Sequence, residues 1–190
     1  MALTLNGSNN TIAGLAVGGL PDGIVDTDMI AANAVTFAKS AGRKILQVVT
    51  SGIDNGEDMV STTSTSYVTD GNLPQATITP ISSNSDILII AHIGMQHDGS
   101  DQIENTIYRE VSGASAVDLS ASNTYGLAFN GVVGTDAQIY NGCYINVTDT
   151  GRPSGTTATT YKWYGRAEFG NDVKLRHKSS VCMTLVEFEP

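Results

Sequence analysis

The sequence is short of charged residues. They make up only 15% of its 190 residues, whereas about a quarter is typical of globular proteins. Thr, Ser, Asn and Gly stand where the charged residues would be. A helical enzyme would carry Glu, Lys and Arg on the exposed sides of its helices, so this composition favours hydroxyl-rich β-strands.

Basic residues are scarcer than acidic ones. Lys and Arg number 10 against 19 Asp and Glu, which gives a formal net charge of −9. An acidic surface repels phosphate backbones and anionic lipid headgroups. We therefore expect no nucleic-acid partner and no attraction to an anionic membrane surface.

Long hydrophobic runs are also lacking. The longest is ILIIA, residues 87–91, which has the length of a strand, whereas a membrane helix needs about 18 apolar residues. The opening MALTLNGSNNTIAGL has neither the basic start nor the apolar run of a signal peptide. These features predict a chain that is made and folded in a cytoplasm, without membrane insertion.

Only two cysteines are present, Cys143 and Cys182. They form no CxxC pair and no cluster with the spacing of metal ligands, so a disulfide scaffold or a zinc site is not indicated. We predict two small buried hydrophobic side chains, with a disulfide between them as the alternative.

Residues 1–42 are predicted to form an appendage without a core of its own. The start alternates as an extended chain does, and GLAVGGLPDG then supplies a run of turn-forming residues. Asp26 or Thr27 is a suitable cap for a short helical turn that ends near Asn33. Apolar pairs recur between residues 24 and 35 at intervals of about five, which fits neither a helix nor a strand. Such a segment hides its apolar side chains against another chain.

Residues 43–190 are predicted to form a separate all-β domain. About eight to ten short strands alternate with turn clusters, and no long helical pattern interrupts them, which is typical of a β-sandwich or jelly roll. The continuous apolar centre of SDILIIAHIGMQH predicts a strand buried on both faces, and Pro80 marks the end of a strand. These strands are drawn from eleven candidate stretches, which are KILQVVT, STSYVT, QATITPI, SDILIIAHIGMQH, ENTIYREVSG, AVDLSAS, YGLAFNG, AQIYNGCYINVTD, TATTYKWYGRAEF, VKLRHKS and VCMTLVEFE.

The stretch GGLPDGIVDTDMIAANAVTFAKSAG resembles the linker repeats of bacteriophage tail-fibre proteins. Those repeats pair an I-x-D/T-x-x-I unit with A-V-T-x-A-K ahead of a β-rich head. ILQVVT, the segment from STTSTSYVT to LIIAHIG, RPSGTTATTYKWYGRA and VCMTLVEFE are similar in order and texture to the heads of such fibres. The resemblance implies a virion structural protein, usually a homotrimer with a jelly-roll head that contacts the host surface or decorates the particle.

The same resemblance gives the appendage a role. It implies that the first unit docks to other virion proteins of the tail or capsid and that three copies bury apolar side chains around a threefold axis. The predicted contacts are Val25, Ile30, Val35 and Phe37. The chain has no long shaft and no clear tail-binding domain before the linker, so a fibre tip, a head fibre and a capsid decoration or cement protein stay open. A secreted lectin-like adhesin is the rival from another class, and the missing signal peptide argues against it.

Two places are candidates for contact with a receptor such as a host cell-surface glycan. The longest Gly/Asn-rich loop, SNTYGLAFNGVVGTD, offers Tyr125, Phe129 and Asn130. Tyr161 and Trp163 share one face of a predicted strand, where an exposed aromatic pair would stack on sugar rings. Core packing is the alternative for that pair.

Metal and catalytic sites are not indicated. His97 with Asp98 and Asp101 is a conceivable ligand set, but the spacing of His92 and His97 places their rings on opposite faces of a strand. DGSDQIE and DNGED are loose matches to calcium loops, with ordinary polar turns as the alternative. No nucleophile, metal-protease, P-loop or dinucleotide signature occurs, so we expect no enzyme and no cofactor.

Overall fold

A computed structural model describes residues 4–6, 11–13, 44–53, 59–97, 101–121, 123–130, 138–152 and 155–189. The chain divides into two units, Met1–Gly42 and Arg43–Pro190. In the first unit, strands β1 (Thr4–Asn6) and β2 (Thr11–Ala13) pair antiparallel. The predicted helical turn lies outside the described residues, and so do the predicted contacts Val25, Ile30, Val35 and Phe37.

The described part of the second unit is all-β, as the composition predicts. Its strands are β3 (Ile45–Ile53), β4 (Met59–Thr62), β5 (Gln75–Ile78), β6 (Asp86–His97), β7 (Ile103–Val111), β8 (Val117–Asp118), β9 (Ala128–Asn130), β10 (Ile139–Asp149), β11 (Thr159–Ala167), β12 (Val173–His177) and β13 (Val181–Phe188).

These strands form two antiparallel sheets. In the larger sheet β6 is central: β10 pairs along one of its sides, while β13 and β12 share the other. β3 continues that sheet beyond β13, and β4 continues it beyond β12. The smaller sheet runs β5–β11–β7, with β8 and β9 both paired to the far side of β7.

One hydrophobic core is built from both sheets, an arrangement consistent with the predicted sandwich. Ile89 and Met95 come from the larger sheet, and Ile107 and Trp163 from the smaller one. Each is at most 1% exposed, and each buried side chain of this size contributes roughly 1.5–3 kcal/mol. The alternation along β13 buries Met183 and Leu185, and VCMTLVEFE forms a strand as predicted.

The prediction for β6 is wrong on one point. Its alternate residues point to the core, but Ile90, on the other face, is 44% exposed. The apolar run therefore does not reflect burial of both faces among the described residues.

The stretch STSYVT does not form the predicted strand. It makes only an isolated bridge between Val68 and Gly165. The reason lies in its hydroxyl groups: the backbone N–H of Ser64 donates to Thr62 Oγ1 at 3.0 Å, and that of Ser66 donates to Ser64 Oγ at 3.1 Å. Such local bonds compete with the ladder of a sheet.

The two cysteines are both free thiols, so the disulfide alternative is wrong. Cys143 is buried, as predicted, and burial raises the pKa of its thiol to about 11. Cys182 is only partly buried and lies on the outward side of β13. Within the described ranges, no helix has the length and apolar character needed to cross a membrane.

Candidate functional site

The loop between β8 and β9 is held against the smaller sheet by backbone bonds. The N–H groups of Asn123 and Gly126 donate to Ser120 O and Asn123 O, at 3.0 and 3.1 Å. The N–H of Leu127 then donates to Asn105 O on β7 at 2.7 Å. Because Asn105 is fully buried, this last bond fixes the loop to a rigid part of the domain.

The loop presents two exposed aromatic side chains side by side. Tyr125 is 53% exposed and Phe129 is 46% exposed. Their ring centroids are 5.7 Å apart with an interplanar angle of 67°, which is the favoured edge-to-face arrangement. The structure thus brings together two of the predicted receptor contacts.

These rings line a surface hollow of about 440 Å³, which we call the aromatic cleft and define by Gln102, Tyr125, Phe129 and Glu168. Phe129 also borders a second hollow of about 490 Å³, which Asn130 and Tyr144 help to line. Asn130 Oδ1 accepts a hydrogen bond of 2.8 Å from Asn141 Nδ2. The third predicted contact of this loop therefore lies in the neighbouring hollow.

Glu168 supplies the cleft with a hydrogen-bond acceptor. Its Oε2 is buried and has no hydrogen-bond partner among the described residues. Its backbone N–H donates to Gln102 O at 3.0 Å, which ties the two polar members of the cleft together. The sequence analysis did not identify Glu168, although the residue directly precedes the FGND turn cluster.

Asp101 holds the turn that carries Glu168. Its carboxylate accepts backbone N–H bonds from Gln102 at 2.7 Å, Phe169 at 2.9 Å and Asn171 at 2.6 Å. Asp101 therefore has a structural role in this turn, and the cleft joins exposed aromatic rings to a fixed acceptor. Pockets with a few placed polar groups of this kind bind small ligands.

No protein-family model matches the chain, and no curated protein matches it either. Among solved structures, one titled "Structure of infectious bursal disease virus Gx strain" aligns over 76% of this chain and 38% of that chain. The TM-score is 0.30 and the sequence identity is 14%. This chain spans well under half the length of that viral chain, and a TM-score at this level does not establish a common fold.

Tyr161 and Trp163 do not contact a receptor in this fold, so the prediction that they do is wrong. Both side chains are 0% exposed, because they occupy the inward positions of β11. Trp163 instead stabilises the cleft loop indirectly. Its Nε1 donates to Asn105 Oδ1 at 3.0 Å, and the backbone oxygen of Asn105 accepts the bond from Leu127 in the loop. Core packing, the alternative considered for this pair, is the correct interpretation.

The histidines of β6 point in opposite directions, as their spacing predicts. His97 is buried on the inner face, whereas the ring of His92 stacks with the exposed Tyr144 on the outer face. Asp98 and the whole of DNGED lie outside the described residues. Within the part of the chain that the structure describes, no three His, Cys, Asp or Glu side chains come together as a set able to hold a metal ion.

Gly126 is required for the path of the cleft loop. It has a φ of +72°, and a Cβ there would lie 2.3 Å from Asn105 O and 2.6 Å from the hydroxyl of Tyr67. We expect Gly126→Ala to lift the loop off β7, with a loss of about 2 kcal/mol in the free energy of unfolding from strain and displacement. The measurement is hydrogen exchange at the amide of Leu127, which should become faster.

Gly113→Ala is the matched control for that experiment. Gly113 has a similar φ of +82°, but no atom lies within 4 Å of the place that a Cβ would take there. This variant carries only the strain of the left-handed conformation, about 1–2 kcal/mol, and should leave the exchange of Leu127 unchanged. Equal exchange rates in the two variants would show that the close approach to Asn105 is unimportant.

Proposed function

We propose that this chain is a structural protein of a phage virion. It forms a trimeric fibre or fibre tip, is attached to tail or capsid proteins through residues 1–42, and exposes a jelly-roll head made of residues 43–190. The linker-like stretch before Gly42 supports the virion assignment, and the two-sheet all-β architecture of the second unit is in keeping with such a head. The aromatic cleft is the observation that supports a role in host attachment.

The chemistry of the cleft favours a neutral glycan as the ligand. The rings of Tyr125 and Phe129 offer apolar surface on which a sugar ring can stack. The partly exposed carboxylate of Glu168 is an acceptor for sugar hydroxyls, and Gln102 offers an amide beside it. A net charge of −9 together with the Glu168 carboxylate disfavours acidic polysaccharides.

Binding without catalysis suits this arrangement. Glycoside hydrolysis normally needs two carboxyl groups flanking the bond that is cut. Glu168 is the one carboxylate among the described residues that line the cleft. The proposed head therefore recognises a surface sugar and leaves it intact.

A capsid decoration protein is the second candidate, and one observation favours it. The outer face of the larger sheet exposes Ile90 and Tyr144, and the residues paired beside them carry no charge, so this part of the face is suited to packing against shell subunits. Imaging of whole virions separates the candidates, because decoration protein covers the shell whereas a fibre projects from its attachment point.

Loss of the cleft aromatics should weaken glycan binding. We expect Tyr125→Ala and Phe129→Ala each to reduce binding to neutral oligosaccharides on an array by about tenfold, the effect of losing one stacked ring. The same variants should compete less well with intact phage for adsorption to host cells. Both side chains are about half exposed, so their truncation should leave the fold intact.

Ile81→Ala is the control, since Ile81 is also exposed, at 62%, but is not among the residues that line the cleft. It should bind as the wild type does. Equal losses in all three variants would point to a general defect of the domain. A wild type that binds no glycan and does not compete for adsorption would exclude host attachment and favour decoration.

A further inference from the structure

The central strand of the larger sheet has an apolar outer side that the described residues leave uncovered. A near-continuous hydrophobic run is typical of strands that are buried on both faces. On β6 the inward residues Ile87 and Ile89 are 0% exposed, yet Ile90 between Ile89 and Ala91 is 44% exposed. The composition of the strand therefore indicates a second cover outside the single chain.

The uncovered surface extends over four strands in register. Thr184 on β13 pairs with Ile90 on one side and with Thr50 on the other, and Asn146 on β10 pairs with Ile90. We call the outward residues at 48–52, 182–186, 88–92 and 144–148 the outer patch. With strands about 4.8 Å apart and about 3.4 Å per residue, four strands of five residues give a footprint of roughly 330 Å², about the size of the largest patch on a typical monomer, which is often functional.

The outer patch contains no Asp, Glu, Lys or Arg. The corresponding face of the smaller sheet differs sharply, because it carries the ion pairs Lys162–Glu110 and Arg166–Glu104. That face of the smaller sheet carries charged side chains, which are compatible with exposure to solvent. The outer patch offers hydroxyl, apolar and aromatic side chains, together with the amide of Asn146 and the thiol of Cys182.

The patch continues into β10, whose second edge has no paired strand among the described residues. Among the described strands, β10 pairs with β6 alone. Natural edges are usually blocked by charged side chains or proline, yet residues 139–148 contain neither. At this edge Tyr144 is 71% exposed and stacks with His92, with ring centroids 5.9 Å apart.

We propose that the outer patch and the adjoining edge of β10 are the surface through which copies of this chain pack against one another. The inference rests on the homotrimer of the proposed function and names its contact surface on the head. Copies with a net charge of −9 repel each other. They meet at least electrostatic cost where neither copy carries a charge, whereas a charged partner would find no complementary group there.

The test compares the solution mass of full-length variants by light scattering. Ile90→Lys and Thr50→Lys each place a charge in the outer patch, and we expect the trimer to dissociate towards the single chain of 19.9 kDa at protein concentrations at which the wild type stays trimeric. Thr77→Lys is the matched control. Thr50 and Thr77 are both exposed on edge strands, and each hydroxyl pairs across the sheet with another threonine, at 3.1 Å to Thr184 and 2.8 Å to Thr160.

Cys182 reports on the same surface without any added label site. It lies on the outward side of β13 within the outer patch, whereas Cys143 is buried and its raised pKa keeps the thiol unreactive. Alkylation of Cys182 with iodoacetamide should be slow in the wild type and in Thr77→Lys. It should be clearly faster in Ile90→Lys and Thr50→Lys.

Each combination of results decides the proposal. Lower mass together with faster labelling in the patch variants supports it. Faster labelling of Cys182 at an unchanged mass would mean that residues of the same chain cover the outer patch. Rapid labelling of Cys182 in the wild type would mean that nothing covers the patch. Either result overturns the proposal. If the wild type is a trimer and every variant keeps the same mass, the outer patch is not the contact surface, although the protein is still a trimer. Glycan binding by the cleft is measured separately, so its outcome does not depend on this test.

Discussion

Asp149→Ala is expected to lower the free energy of unfolding by about 3–5 kcal/mol, because it leaves a buried guanidinium without its counterion. Arg109 Nη1 donates to both carboxylate oxygens of Asp149, at 2.7 and 2.9 Å. The two side chains are only 8% and 3% exposed. The hydroxyl of Tyr161 donates to the same carboxylate at 2.9 Å. The variant therefore also leaves this buried hydroxyl without its hydrogen-bond acceptor.

The phenol strengthens the case that Asp149 works as a charged acceptor. Burial, and next to it the Asp149 carboxylate, raises the pKa of Tyr161 well above its ordinary value. Tyr161 therefore stays protonated and keeps donating across the accessible pH range. Urea unfolding at one fixed protein concentration measures the loss, since stability depends on concentration in an oligomer.

Glu110→Gln is the matched control, because Glu110 lies on β7 beside Arg109 and forms an exposed ion pair. Its carboxylate is 2.6 Å from Lys162 Nζ, with side chains 31% and 28% exposed. Removing a pair of this kind costs less than about 1 kcal/mol. If Asp149→Ala costs no more than Glu110→Gln, the Arg109–Asp149 pair does not hold the two sheets together.

The sequence predicted the positions of most strands along the chain, but it did not predict the order of the strands within the sheets. The alternation in QATITPI, TTYKWYGRA and VCMTLVEF matches β5, β11 and β13. Nothing in those local patterns says that β13 lies between β3 and β6 or that β8 and β9 share one side of β7. Register depends on contacts between residues far apart in the chain, which alternation within one strand does not encode.

The incorrect prediction for Tyr161 and Trp163 has the same cause, because a local pattern does not identify contacts between distant residues. Period-two alternation correctly grouped Tyr161 with Trp163, but it does not say which face of the strand meets the core. Both side chains point inward, and Trp163 bonds to Asn105, a residue that no sequence motif identifies. A polar residue inside a strand is taken as solvent-facing unless its buried partner is known.

The composition of a loop was enough to predict part of the candidate site, but not all of it. A Gly/Asn-rich stretch with two aromatics was sufficient to select Tyr125 and Phe129, which do lie together. Glu168 joins them only because Ala167 pairs with Ile103, which brings the end of β11 beside the start of β7. The acceptor of the cleft is thus a product of strand pairing and had no local signal.

A second large effect is expected at Glu187, the carboxylate that ties the carboxyl-terminal strand to the turn before β6. Glu187 is 0% exposed. Its oxygens accept bonds from the backbone N–H groups of Ile81 at 2.9 Å and Ser82 at 3.0 Å, and from Ser85 Oγ and Gln47 Nε2, both at 2.6 Å. A site built only from donors is matched to a carboxylate.

Glu187→Gln should lower the free energy of unfolding at pH 7 by about 3 kcal/mol. The amide keeps one acceptor oxygen, but its NH₂ group faces donors, so buried donors lose their partner and charge-assisted bonds are lost. Chemical denaturation measures the difference, with Glu110→Gln as the control for removing an exposed carboxylate. A loss as small as that of the control would mean that the donors turn to other acceptors.

The pH dependence of that loss separates charge from shape. Burial alone would raise the pKa of Glu187, but the bonds from Ser82, Ser85, Ile81 and Gln47 together outweigh it and hold the pKa below its ordinary value. A lowered carboxylate pKa contributes stability that is fully present above the unfolded value of about 4.3 and is lost as the pH falls through the folded value. The stability gap between wild type and Glu187→Gln should therefore narrow as the pH drops below about 4.3. A gap that stays constant through that range would show that the variant loses packing, and that the negative charge on Glu187 contributes nothing to the fold.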